Sequence, residues 1–163
     1  MATLIKRSES QYHNISDLYY YVLSMNALNL RLPQRIYEII ADYCIESLKD
    51  LPNTVKYLLL LSALNISYDK DFYLSYLNRC QSGDGGYGFL PGSTSFLENV
   101  CYALRAYQNL QFPPKHTDKI FAFIQRCQGR RGGLGRKDIT LPTIKSTSHA
   151  LESLSILRTF EVK

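Results

Sequence analysis

A sequence repeat in the second half of the chain constrains the fold more than any other feature. Residues 70–104 align without a gap over residues 117–151, a shift of 47 positions, and nine of the 35 aligned residues are identical. The identities concentrate in two segments, CQSGDGGYG at 80–88 and CQGRRGGLG at 127–135. A period of about 20–50 residues is typical of stacked supersecondary units. We therefore expect a repeat protein.

Each repeat unit reads as a helical hairpin. The first helix of a unit has apolar residues on one side, as in Ile120, Phe123 and Ile124, whereas the second is apolar on nearly every face. A helix that is apolar all round must be surrounded by other helices, so the pattern predicts outer and inner helices. Two weaker copies extend the repeat towards the N-terminus. We predict one all-α domain over 1–163, with units near 14–30, 34–66, 70–110 and 117–160.

The repeated turn carries glutamine and glycine at fixed positions. The glutamine is expected to end the outer helix, and the paired glycines are expected to let the chain leave it with positive φ angles. The cysteine before each glutamine, Cys44, Cys80 or Cys127, is expected to be a small core residue. The residues assigned to the turn are Gln81, Gly85, Gly86, Gly88, Gln128, Gly132, Gly133 and Gly135.

Composition and charge narrow the classes of function. The chain is 45% hydrophobic and 20% charged, as in globular proteins, and it contains neither a secretory signal nor an apolar run long enough for a membrane span, so we expect a cytoplasmic protein. The net charge of +5 lies entirely in residues 82–163, which hold 11 basic and 6 acidic residues. This asymmetry indicates either an anionic partner or a solvated basic face. Nucleic acid is disfavoured as the partner because no nucleic-acid-binding motif is present.

The turns resemble those of a known enzyme family. The run CQSGDGGYGFLPGSTS, and CQGRRGGLGRKDITLP before an inner helix, are similar to the repeat of protein prenyltransferase β subunits, especially the geranylgeranyl type, and of squalene and terpene cyclases. The resemblance covers most of residues 34–160. It implies an α/α toroid whose inner and outer helices enclose a funnel for an isoprenoid chain. The chain supplies about three and a half hairpins, a partial ring.

The zinc site that the resemblance implies is not matched. The transferases hold zinc with an Asp-x-Cys pair and a histidine, but Thr143 and Lys145 stand at the pair, and Ser146 stands at the histidine. In the other repeat, Asn99 precedes Cys101 in place of aspartate. No cofactor is therefore expected. A zinc site of another kind is left open, with Glu98, Cys101 and His149 as its candidates.

Other residues could still bind an isoprenoid diphosphate. Arginine suits bidentate contact with phosphate, and Arg136 aligns with the family arginine that contacts the diphosphate. The diphosphate candidates are Arg130, Arg131, Arg136 and Lys137, for which a solvated loop is the alternative. The candidates for lining an isoprenoid pocket are Tyr87, Phe89, Phe96 and Tyr102, for which plain core packing is the alternative.

Three functions follow from these readings. The first is a prenyltransferase-related protein that binds a prenyl diphosphate without an intact zinc site of its own. The second is a noncatalytic scaffold for protein interactions, and the third is an active transferase with atypical metal ligands. Whether the chain is an enzyme stays undecided at this point. Because a partial ring exposes its first and last inner helices, we also expect a homodimer or a partner subunit to complete it.

Overall fold

The computed structural model describes residues 14–43, 48 and 50–161, and within these it is helical. The described residues form no strand, only three isolated β-bridges in the turns, which confirms the all-α prediction for this part of the chain. Cys44, the predicted end of an outer helix, lies outside the described residues. The helices are α1 Ile15–Ala27, α2 Gln34–Ala41, α3 Leu51–Ala63, α4 Lys70–Cys80, α5 Leu97–Leu110, α6 Thr117–Arg126 and α7 Ile144–Glu161.

Local sequence explains where several helices begin and end. Asn14, Asp50 and Asp69 precede α1, α3 and α4, and each side chain accepts a hydrogen bond from a backbone N–H of the first turn. After α1, α3 and α5 the chain turns through a left-handed residue, Asn29, Asn65 or Gln111 respectively. Helices α1 and α3 thus begin with the same kind of cap, and α1, α3 and α5 end with the same backbone geometry.

The four predicted inner helices, α1, α3, α5 and α7, pack side by side in that order and make the most extensive helix contacts of the described residues. They run parallel, because contacts join equivalent turns. Ser16 in the first turn of α1 bonds Asn53 in the first turn of α3, and Arg105 in the middle of α5 bonds Glu152 in the middle of α7. The predicted outer helices α4 and α6 pack on the hairpin partners α5 and α7. The core lies between these helices.

The two glycine-rich loops make the same hydrogen bonds in the same register. Gly88 N–H donates to the Cys80 carbonyl at 2.9 Å, and Gly135 N–H donates to the Cys127 carbonyl at 2.8 Å. Each loop also reaches the preceding inner helix. The Phe89 carbonyl accepts from the first N–H of α3, and the Arg136 carbonyl accepts from the first N–H of α5. The repeat in sequence is therefore a repeat in backbone geometry.

The paired glycines are needed for two different reasons. Gly85, Gly132 and Gly133 have φ angles of 88°, 82° and 70°, which a side chain would strain. Gly86 does not have a positive φ, contrary to the prediction. A Cβ at Gly86 would instead lie 2.5 Å from the Cβ of Ser95 and 2.7 Å from the ring of Phe123 on α6, so this position is glycine because both side chains approach the backbone closely.

Candidate functional site: a groove along the inner helices

Equivalent positions of the four inner helices line a single groove of about 700 Å³. The ninth residues of the helices, counted from each first residue, contribute two leucines from α1 and α3 and an ion pair from α5 and α7. The sixth residues contribute Tyr20, Tyr102 and His149, and the sixth residue of α3 is Lys56. The full lining is Tyr19, Tyr20, Leu23, Leu59, Tyr102, Arg105, Gln108, Asn109, Lys145, His149 and Glu152.

Lys56 is a buried cation beside this groove. Its side chain is enclosed so that the residue is 8% exposed, and its ammonium donates to the Ser16 hydroxyl at 2.7 Å. The same Nζ lies 5.6 Å from the ring centroids of both Tyr20 and Tyr102. Among the described residues no carboxylate forms an ion pair with it. Its charge is thus stabilised by one hydroxyl and two aromatic faces.

Arg105 and Glu152 form a bidentate ion pair across α5 and α7. The Nε and Nη2 atoms of Arg105 donate to the two carboxylate oxygens of Glu152 at 2.5 and 2.6 Å. The guanidinium lowers the pKa of Glu152, and the carboxylate raises the pKa of Arg105. The guanidinium also lies 5.6 Å from the Tyr102 ring. The pair connects two adjacent inner helices. Among the described residues, Lys145 in the groove and Lys56 beside it have no paired carboxylate.

The three zinc candidates do not assemble into a metal site. No group of three or more histidine, cysteine, aspartate or glutamate side chains in the described residues has the proximity needed to hold a metal ion. Glu98 is engaged in an ion pair with Arg136. Burial raises the pKa of the Cys101 thiol to about 12, and burial followed by Lys145 lowers the pKa of His149. Asn99 is buried, and its amide has no hydrogen-bond partner among the described residues.

Two cations of the basic loop predicted to bind diphosphate, Arg136 and Lys137, already contact other side chains. Besides pairing with Glu98, Arg136 places its guanidinium 3.9 Å from the centre of the Phe96 ring. Lys137 lies 6.0 Å from the same ring, so Phe96 packs beneath both cations and does not line the groove. Arg130 and Arg131 are exposed and form no ion pair among the described residues. The loop does not gather its four predicted cations around one cavity.

Of the four aromatic pocket candidates, Tyr102 alone lines the groove. Tyr87 lies instead in the hydrophobic core, fully buried, with its ring 6.4 Å from that of Tyr107. Core packing, the alternative reading, accounts for it. Phe89 is half exposed on the loop. The carbonyl of Phe89 accepts from the first N–H of α3, and its ring does not line the groove.

Sequence reasoning missed Lys56, Tyr20 and the Arg105–Glu152 pair. Arg105 and Glu152 lie 47 positions apart, the shift of the repeat, so opposite charges at equivalent positions were a signal that the sequence offered. For Lys56 and Tyr20 the missing information was the register of α1 and α3, whose loops lack the glycine pair that aligns the later units. The left-handed residues Asn29 and Asn65, matched to Gln111, could have supplied that register.

None of the described helices has both the length and the apolar character that crossing a bilayer requires. No protein-family profile matches the chain, and no curated protein matches it significantly.

Proposed function

We propose that this chain is a toroid-type repeat protein related to protein prenyltransferases and that it binds an isoprenoid diphosphate in the groove along α1, α3, α5 and α7. The observation that carries the proposal is that lysines and apolar side chains lie along different parts of one groove, here called its polar and its apolar level. The ion pair of Arg105 and Glu152 lies beside the apolar level, on α5 and α7. Lys145 and Lys56 lie towards the N-terminal ends of the inner helices, and Leu23 and Leu59 lie one turn further along. Such a groove suits a ligand with an anionic head and an apolar chain.

The polar level favours the head group. Lys145 is exposed at the start of α7, and Lys56 lies between two tyrosine rings without a carboxylate partner among the described residues. The parallel inner helices also bring their N-termini to one end of the groove, where the helix dipoles favour an anion. Arg136 is the less suitable contact because it is already paired with Glu98.

The apolar level favours the chain of the ligand. Tyr19, Tyr20 and Tyr102 offer aromatic faces, and the two leucines continue the apolar surface away from the lysines. A volume of about 700 Å³ is within the range typical of small-molecule sites, about 300–1,000 Å³. In the proposed ring, this surface is the inner wall, and the four described inner helices form an arc of it.

Calorimetric titration with farnesyl and geranylgeranyl diphosphate tests the proposal. Inorganic diphosphate and farnesol, titrated separately, report on the head and the chain. Lys145→Ala should weaken binding of the complete ligand by roughly tenfold, since a hydrogen bond between charged groups contributes about 1.5 kcal/mol. Lys70→Ala, which removes an exposed lysine from the start of the outer helix α4, is the matched control and should have no effect.

Two outcomes would count against this site. If Arg136→Ala weakens binding and Lys145→Ala does not, the head group lies at the loop instead. If neither ligand binds to folded protein, the isoprenoid function is wrong. The interaction scaffold then becomes the better reading, and the exposed apolar residues Ile139, Leu141 and Ile144 beside α7 favour it.

A further inference from the structure

The last inner helix exposes apolar residues at positions that are buried in every other inner helix. Ile144, the first residue of α7, is 92% exposed, and Leu151, its eighth residue, is 61% exposed. Their equivalents are at most 1% exposed in the other three helices: Ile15, Leu51 and Leu97 at the first position, and Val22, Leu58 and Leu104 at the eighth. The edge of α7 thus has the apolar pattern of a covered edge but lacks a cover among the described residues.

The first inner helix, α1, is uncovered on its opposite edge, where the other inner helices are covered. Leu28, at the fourteenth position counted from the start of α1, is 67% exposed. The equivalent leucines of α3, α5 and α7 are buried: Leu64, Leu110 and Leu157. The described residues therefore leave one helix edge uncovered at each end of the row.

The backbone at the start of α7 is uncovered in the same way. The first N–H of α3 donates to Phe89 at 2.9 Å, and that of α5 donates to Arg136 at 2.8 Å, each acceptor belonging to the next unit. The equivalent N–H of Ile144 has no acceptor among the described residues. At the start of α7, therefore, neither the side chains nor the backbone have the cover that the next unit gives to α3 and α5.

We propose that a second copy of this chain supplies that helix. In the proposed dimer, α1 of each copy packs on α7 of the other around a two-fold axis. The two uncovered edges are opposite edges of the same kind of helix, and such edges already pack together between α1 and α3, α3 and α5, and α5 and α7. The α7 edge is uncharged over its first two turns, at Ile144, Ser148 and Leu151, and Arg158 lies on the same edge near the end of the helix.

One symmetry operation covers both ends, which a single unrelated helix would not do. The dimer would also bound the groove on its two open sides, since Tyr20 and Lys145 lie on the terminal helices α1 and α7. The proposal does not depend on isoprenoid binding. Its test measures mass and cross-linking without any ligand, so failure of one proposal leaves the other standing.

Sedimentation equilibrium of the chain gives the first test. We expect a mass of twice 18.7 kDa. Leu151→Asp and Leu28→Asp, made separately, should each raise the dissociation constant at least tenfold. Phe121→Asp, which changes a half-exposed aromatic residue on the outer helix α6, is the control and should stay dimeric. Circular dichroism of each variant verifies folding. A chain that is monomeric at high concentration would overturn the proposal.

Cysteine cross-linking tests which edges meet. Ser24→Cys and Leu151→Cys lie at the tenth and eighth positions of α1 and α7, within one helical turn of each other along parallel helices, as a disulfide requires. They are prepared as separate proteins, mixed and oxidised, and the unsubstituted chain measures the background from the native cysteines. We expect a cross-linked dimer in the mixture and only background in either protein alone. Cross-linking of Leu151→Cys with itself would show that α7 packs on α7 and would overturn the proposed arrangement. Open-ended oligomers would overturn the closed two-copy ring.

Discussion

The repeat contains a matched pair of glycines that differ only in their surroundings. Gly85 and Gly132 are equivalent in sequence and have φ angles of 88° and 82°. A Cβ at Gly85 would overlap the carbonyl group of Lys119 on α6 and lie 2.8 Å from the Lys119 Cβ, whereas a Cβ at Gly132 would meet nothing within 4 Å. The outer helix of the following unit is what fills the space beside Gly85.

Substitution of each glycine by alanine separates strain from packing. An alanine at positive φ costs roughly 1–2 kcal/mol at either site. At Gly85 the overlap with backbone adds about 1–3 kcal/mol, the usual penalty of overpacking. We therefore expect Gly85→Ala to lower the free energy of unfolding by about 2–5 kcal/mol and Gly132→Ala by about 1–2 kcal/mol.

Urea denaturation followed by far-ultraviolet circular dichroism measures the difference. The midpoints should shift while the slope with denaturant stays constant, since neither variant changes the surface exposed on unfolding. Gly83→Ala is the control, because Gly83 has neither a positive φ nor a neighbour within 4 Å, and its stability should change little. Equal losses at Gly85 and Gly132 would refute the packing of this loop on α6.

Two further predictions concern titratable groups in the inner helices. Because Arg105 lowers the pKa of Glu152 below its ordinary 4.5, the ion pair stabilises the fold above that pH and the contribution disappears as pH falls through the lowered pKa. The difference in urea midpoint between the unsubstituted chain and Glu152→Gln should thus be largest near neutrality and shrink in acid. A pH-independent difference would contradict this. Since burial raises the pKa of Cys101 to about 12, iodoacetamide should modify that thiol only as fast as the protein unfolds. Rapid modification of folded protein, located by peptide mass spectrometry, would contradict the burial.

The sequence repeat predicts the helices of the later units because it is anchored by backbone geometry. The Cys-Gln and Gly-Gly positions must recur wherever the chain leaves an outer helix in the same way, and Gln81 follows α4 directly. Gly86 shows the limit of this reasoning. A side chain there would meet Ser95, nine residues further on, and the ring of Phe123, 37 residues further on. These contacts, and not a positive φ angle, require the glycine.

The predicted diphosphate loop shows a second limit. A run of basic residues says nothing about which of them already have partners. Arg136 is paired with Glu98 from the start of α5, and that contact exists only once the loop folds back over the preceding inner helix. The cations of the groove, in contrast, come from different helices and share no local motif, so no single segment of the sequence identifies them.

The groove suggests how a repeat can carry chemistry that differs between its copies. At the first and eighth positions the inner helices keep Ile, Val or Leu, since these side chains hold the row together. At the sixth position they carry Tyr20, Lys56, Tyr102 and His149 in turn, side by side on the open face. Packing requires the first and eighth positions to stay apolar, whereas the sixth position is free to vary. In a repeat protein of this build, the binding residues are therefore to be sought where equivalent positions differ most, after the register has been set by where they agree.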